Sequence, residues 1–204
     1  MKPTIEPIPP DAIKRRVFGI HSWPLAGAGD VAVHEAGHVV VALSLGGLPV
    51  YGARIAPDGA TGQAGVLSPV GETVATAATL PPPEHVADIY RQAAPLVWPD
   101  LPPAEAALNY AVMLVAGRQA ELIAAGIRLG GELRIHDADH QWGRAILAAA
   151  EMRLAMTWAQ RMARHLLTCR WPEVEAIAAE LRATGTWTNP DAWVRQSRNP
   201  STTG

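Results

Sequence analysis

The apolar positions of this chain change period several times, and each change marks a new element. From Val31 to Leu45 nearly every residue is apolar, with no glycine or proline except Gly37. Asp30 is a good N-cap for this run, Gly46 and Gly47 stop it, and Pro49 prevents its resumption. The pattern predicts a helix that is apolar on almost every side and therefore central. Two short segments of strand character follow, Val50–Ala56 and Gly62–Ser68, separated by the turn residues Pro57, Asp58, Gly59 and Ala60. They predict a hairpin, or two strands of one small sheet.

From Pro69 to Pro103 prolines interrupt the pattern repeatedly, leaving room for one helix between Glu84 and Ala94. Ala104–Ala125 reads as a long helix closed near Gly126. Asp139–Cys169 reads as another, with Arg144, Arg153, Arg161 and Arg164 interleaved among Ile146, Leu147, Leu154, Met162 and Leu166. Pro172 opens a last helix that ends by Gly185. The helix over Val31–Leu45 carries His34-Glu35-Ala36-Gly37-His38, an HExxH sequence, so the fold expected is mainly α with a small β hairpin or sheet: a zincin-like HExxH helix core followed by a helical bundle. Residues 1–25 form an N-terminal arm, 26–188 one domain, and 189–204 a polar, flexible tail.

Composition narrows the function classes. The formal net charge of −2 and the few basic clusters argue against nucleic acid as the main partner. One cysteine, Cys169, excludes an intrachain disulfide and suits the cytoplasm. The proline-rich start is no signal peptide, and the apolar run after Val39 is too short and broken to span a bilayer, so no membrane insertion is expected. The heavy use of alanine favours helices in close contact.

The chemistry lies in His34-Glu35-Ala36-Gly37-His38. On a helix, residues four apart share a face, so both imidazoles can address one ion. Glu35 stands about 100° further round the helix and can reach a water at an open coordination position as a general base. Two histidines and a glutamate in an apolar helix are costly without a metal or other partners. A catalytic zinc site needs a third protein ligand. The metzincin extension is excluded, because Val41 and Ser44 stand where it needs glycine and histidine. Glu121 on a later helix is one candidate; the segment His136-Asp137-Ala138-Asp139-His140 is the richest other supply of ligands.

These blocks resemble the peptidase domain of the FtsH-type ATP-dependent zinc metalloproteases. The resemblance runs through Val31–Leu45, Leu48-Pro49-Val50, the Ile55-Ala56-Pro57 element and the Gly62–Pro69 strand, then through Met113–Glu121 with its Gly-Arg-x-Ala-Glu pattern. It implies a third ligand at the start of the next helix, Asp139, with Asp137 as the alternative, and weakens the case for Glu121. It implies a zinc metalloendopeptidase with Glu35 as catalytic base and His34, His38 and Asp139 as metal ligands. The family's Ser-Asn before that aspartate is absent. So is any Gly-x-x-x-x-Gly-Lys-Ser/Thr loop, which removes the ground for expecting an ATP-driven unfoldase in this sequence. The expected substrate is therefore flexible or unfolded polypeptide, with a separate ATPase or a dedicated partner protein allowed for. The oligomeric state is open. The alternative is a catalytically inactive relative whose structural zinc supports a partner-binding or regulatory module.

Smaller expectations complete the reading. His136 and His140 flank Asp139, where they could ligate the metal or orient that aspartate; the reading preferred is surface histidines at a helix start. His21, His85 and His165 carry no motif. Cys169 is expected as a packed, inert thiol, and Trp142, Trp158 and Trp171 as core or interface anchors.

Overall fold

The computed structural model describes residues 29–46, 50–57, 59, 61–66, 82–127 and 138–189. The described elements, in order, are helix α1 (Gly29–Leu45), strands β1 (Val50–Ile55) and β2 (Gly62–Val66), helices α2 (Pro83–Val97), α3 (Pro103–Leu114), α4 (Ala116–Ala124), α5 (Ala138–Ala149), α6 (Met156–Cys169) and α7 (Trp171–Thr184), and strand β3 (Thr186–Thr188). The protein is mainly α with a small antiparallel sheet.

The first helix is central, as its all-round apolar sequence requires. Ala32, Ala36, Val39, Val40, Val41 and Ala42 are completely buried, and α1 packs against α4, α7 and the hairpin. Each buried valine contributes about 2 kcal/mol of transfer free energy. The helix starts at Gly29, so Asp30 lies in its first turn and is not the N-cap. Gly37 sets the approach of α4: a methyl group there would stand 2.7 Å from Ala120 Cβ and 2.9 Å from the Ala116 carbonyl. Only a residue without a side chain lets the two helices come this close. At its other end α1 stops at Gly46, whose φ is +70° and whose carbonyl accepts the Trp98 indole N–H at 3.1 Å. Trp98 in turn meets the edge of Tyr110, which also packs edge-on to Tyr90.

The sheet has three strands in the order β2-β1-β3, not the two expected. Thr186–Thr188 returns antiparallel to β1, with Trp187 opposite Ala53. Asn189, assigned from sequence to the flexible tail, is buried and ties this return down: its backbone N–H donates to Tyr51 and its side-chain amide to Val50 at 2.7 Å. The arm over 1–25 and residues 190–204 lie outside the described residues.

Both long helices expected from sequence are divided. Ala104–Ala125 breaks at Val115, which separates α3 from α4. Asp139–Cys169 breaks between Ala149 and Met156. There Met152 N–H donates to the Leu147 carbonyl at 2.7 Å and Glu151 N–H to the Ala148 carbonyl at 3.1 Å, the pair of hydrogen bonds that closes a helix on a left-handed residue. Glu151 occupies the left-handed position with φ +61°, where glycine is usual. No glycine marks this cap in the sequence, so the amphipathic pattern ran straight through it. Leu154, read as a core position, is 96% exposed in the connection. By contrast α4 and α7 end at the glycines expected, Gly126 and Gly185, both with positive φ. The proline-rich stretch is also more regular than expected, since α2 continues to Val97 with Pro95 inside its last turn.

Candidate metal centre

Three helices converge on one small volume. The helix α1 brings His34, Glu35 and His38, α4 brings Gly117 and Glu121, and the first turn of α5 brings Asp139. One ligand atom from each of His34, His38 and Asp139 lies within 4.8 Å of the others, so this group could hold a metal ion. Asp139 Oδ2 stands 3.1 Å from His34 Nε2 and 3.3 Å from His38 Nε2. Ligands at about 2.0–2.1 Å around a tetrahedral ion are themselves about 3.3 Å apart, which matches the two spacings to Asp139; the spacing between the imidazoles is within 4.8 Å.

The outer nitrogens are equally constrained. His34 Nδ1–H donates to Glu121 Oε1 at 2.6 Å, and the other oxygen of Glu121 is held by Arg118. His38 Nδ1–H donates to the Met113 carbonyl at 2.9 Å. Both rings therefore turn Nε2 inward, the arrangement that fixes tautomer and orientation in metal-ligating histidines. Glu121, one sequence candidate for the third ligand, sits on the outer nitrogen of His34 and orients that ring. Asp137 lies outside the described residues.

A test of fit independent of the donor set comes from Gly117. A methyl group at this position would stand 2.4 Å from His34 Nε2 and 2.6 Å from His38 Nε2. The cradle between the imidazoles thus opens onto a residue that has no side chain to fill it. Room for an ion and three convergent donors coincide, so the residues fit a metal.

Charge in this pocket is strongly coupled. Burial works against a charged His34, yet its bonds to Asp139 and Glu121 hold its pKa well above the ordinary imidazole value. His38 is likewise opposed by burial and raised by Asp139. Asp139 is drawn far below the usual carboxylate range, because its two histidine partners outweigh its burial. Glu121 is lowered by His34 and Arg118 against its own burial. Glu35 goes the other way: burial raises it, and the nearby histidines only partly offset that. Of the carboxyl groups described at the site, Glu35 is the one shifted upward, while Asp139 and Glu121 are drawn down.

Several lesser expectations meet different surroundings. His140 is buried at the start of α5, not exposed. Cys169 is exposed, with His165 at 3.9 Å, rather than packed. His85 and His165 are exposed, while His21 and His136 lie outside the described residues. Trp171 is buried and Trp142 packs against the core, but Trp158 is 45% exposed. Sequence reasoning missed Gly62, Gly117 and the Met113 carbonyl, none of which carries a side-chain signal for this role. No family model and no curated protein matches the chain.

Proposed function

We propose that this chain is a zinc metalloendopeptidase that hydrolyses peptide bonds in flexible or unfolded polypeptide. The observation that carries the proposal is the convergence of His34, His38 and Asp139 beside a buried glutamate that belongs to the same HExxH turn. The resemblance to the FtsH-type peptidase domain supports the same reading. The donor set, two imidazoles and one carboxylate with a buried base alongside, suits zinc better than the oxygen-preferring cations.

In this proposal His34, His38 and Asp139 hold the ion. Bound there, zinc supplies a Lewis acid for the scissile carbonyl and acidifies a water. Everything else is done by the chain. Glu121, itself fixed by Arg118, keeps the His34 ring in register, and the Met113 carbonyl does the same for His38. Glu35 accepts the proton of the attacking water and returns it to the amine nitrogen as the C–N bond breaks. Its raised pKa suits both halves of this transfer, since a stronger base removes the proton more readily and still releases it to the amine. The strand β2 runs directly past Glu35 and is an outer strand of the sheet among the described residues, so an extended polypeptide can add to its edge as a further strand and lie across the base.

Among the described residues no helix is long and apolar enough to cross a membrane. The test is cleavage of an unstructured peptide library by the parent chain, by the chelated chain and by Glu35→Gln. The proposal expects activity that chelation abolishes, zinc restores and Glu35→Gln lacks. Cleavage that survives Glu35→Gln would overturn the role of the base. Absence of cleavage in a zinc-loaded parent would favour a structural metal in a partner-binding module.

A further inference from the structure

The strand β2 passes the base at a distance that only a glycine permits. A methyl group at Gly62 would stand 2.5 Å from Cγ, 2.6 Å from Oε1 and 2.8 Å from Cδ of Glu35. Carbon atoms in contact prefer about 3.5–4.0 Å, so all three contacts are deep overlaps. Rotating the carboxylate does not relieve them, because Cγ itself is among the clashing atoms and its place is set by χ1 on a helix.

The strand cannot easily give way instead. Gly62 pairs with Ile55 across the ladder, Ala56 N–H donates to the Thr61 carbonyl at 2.8 Å, and Ile55 N–H donates to the Gly185 carbonyl at 2.9 Å. The hairpin end is thus pinned to the end of α7 as well as to itself. On the other side Glu35 grows from a helix buried on nearly every side. Two rigid elements meet, and the space between them is the width of the Glu35 side chain against bare backbone.

We propose that Gly62 is a positioning residue for the reaction: the absent side chain on β2 is what allows the Glu35 carboxylate to stand where it can work. The three nearest neighbours of an added Cβ at position 62 all belong to Glu35 and none to His34, His38 or Asp139, so Gly62→Ala acts first on the base. Gly62 and Gly117 then divide the site between them. Gly117 leaves room for the ion, and Gly62 leaves room for the base. The catalytic half of this inference rests on the peptidase reading; the contact itself does not.

The experiment is a double-mutant cycle in thermal stability, joined to kinetics. Gly62→Ala is made in the parent and in a Glu35→Ala background, and each is measured in zinc and in chelator. Overpacking of this kind is expected to lower Tm by an amount on the order of 5 °C when Glu35 is present. In the Glu35→Ala background the loss should shrink to about 1 °C or vanish, since the overlapping atoms are gone. In the parent background Gly62→Ala should lower kcat by about 100-fold, with KM and zinc content unchanged. Equal Tm losses in both backgrounds would overturn the contact. A cycle that shows coupling while kcat stays at the parent value would overturn the positioning role. The cycle needs no substrate, so a parent that cleaves nothing refutes the peptidase reading and leaves the contact decided separately.

Discussion

Replacing Gly117 by alanine is expected to empty the metal cradle while leaving the fold intact. The added methyl would lie 2.4 Å from His34 Nε2, 2.5 Å from His34 Cδ2 and 2.6 Å from His38 Nε2. The near-equal distances to Nε2 and Cδ2 set the methyl against the edge of the His34 ring, so both imidazoles must swing away from positions in which they could share an ion bonded at about 2.0–2.1 Å. Losing one partner of a ligand costs about 10–100-fold in affinity; filling the cradle should cost more, at least about 100-fold. The helix does not object to the change. Gly117 lies in a regular stretch of α4 without positive φ, where alanine is favoured by about 1 kcal/mol. That gain roughly offsets the hydrogen bonds the two imidazoles strain as they swing aside, each worth about 1 kcal/mol. The assay is thermal denaturation of chelated protein with and without added zinc. At about 100 times Kd, zinc should stabilise the parent by about 2.7 kcal/mol, which in a chain of this size is roughly 5–10 °C. Gly117→Ala should melt within a few degrees of the chelated parent and show no shift with zinc. A variant that binds zinc with the parent's affinity would refute the reasoning, because the two imidazoles would then reach the ion in spite of the methyl.

The remaining expectations follow from the same geometry. Glu35→Gln should keep its zinc and lose peptide cleavage by about 100- to 10,000-fold, checked by metal content and turnover together. Glu121→Gln should weaken zinc binding by about 10–100-fold in a competition titration, since the His34 ring loses its charged partner; an unchanged affinity would show that ring to be held without it. Zinc affinity should fall as pH is lowered, starting above the ordinary imidazole range, because protons compete for His34 and His38 and both are raised in the metal-free pocket; calorimetry in buffers of different ionisation heat should find protons released on binding. The chelated protein should also lose stability at both pH extremes. The raised His34 and His38 stabilise the fold below the ordinary imidazole range, and that contribution is lost as pH rises through their folded values. The depressed Asp139 and Glu121 stabilise it above the ordinary carboxylate range, a contribution lost as pH falls through theirs. A flat Tm between mildly acid and alkaline pH would contradict this. Gly37→Ala should cost about 1–3 kcal/mol, read by denaturant unfolding, because its methyl meets the Ala116 backbone, which cannot step aside.

What the sequence made legible was what side chains announce. The apolar run of α1, its stop at Gly46, the caps at Gly126 and Gly185 and the hairpin between Val50 and Val66 all carry residue types whose physics is local. The paired histidines needed only helical spacing. The third member of the cluster was not readable from spacing alone, since Asp139 and His34 are brought together by the packing of separate helices. Without the resemblance, Glu121 and Asp139 stood as open alternatives, and the structure gives them different tasks on opposite nitrogens of one ring. The left-handed cap at Glu151 escaped notice because the usual glycine is missing. The strand Thr186–Thr188 did so because it is too short to show a period. Gly62 and Gly117 were invisible for a deeper reason: their contribution is the absence of a side chain at a point defined only in three dimensions.

Metal content most directly tests the centre on which this account rests. Parent, His34→Ala and Asp139→Ala chains would be purified side by side, incubated with zinc, freed of excess ion and measured by elemental analysis. The account expects about one zinc per chain in the parent and little or none in either variant. A parent that retains no zinc, or an Asp139→Ala chain that retains all of it, would contradict the metal centre as assigned.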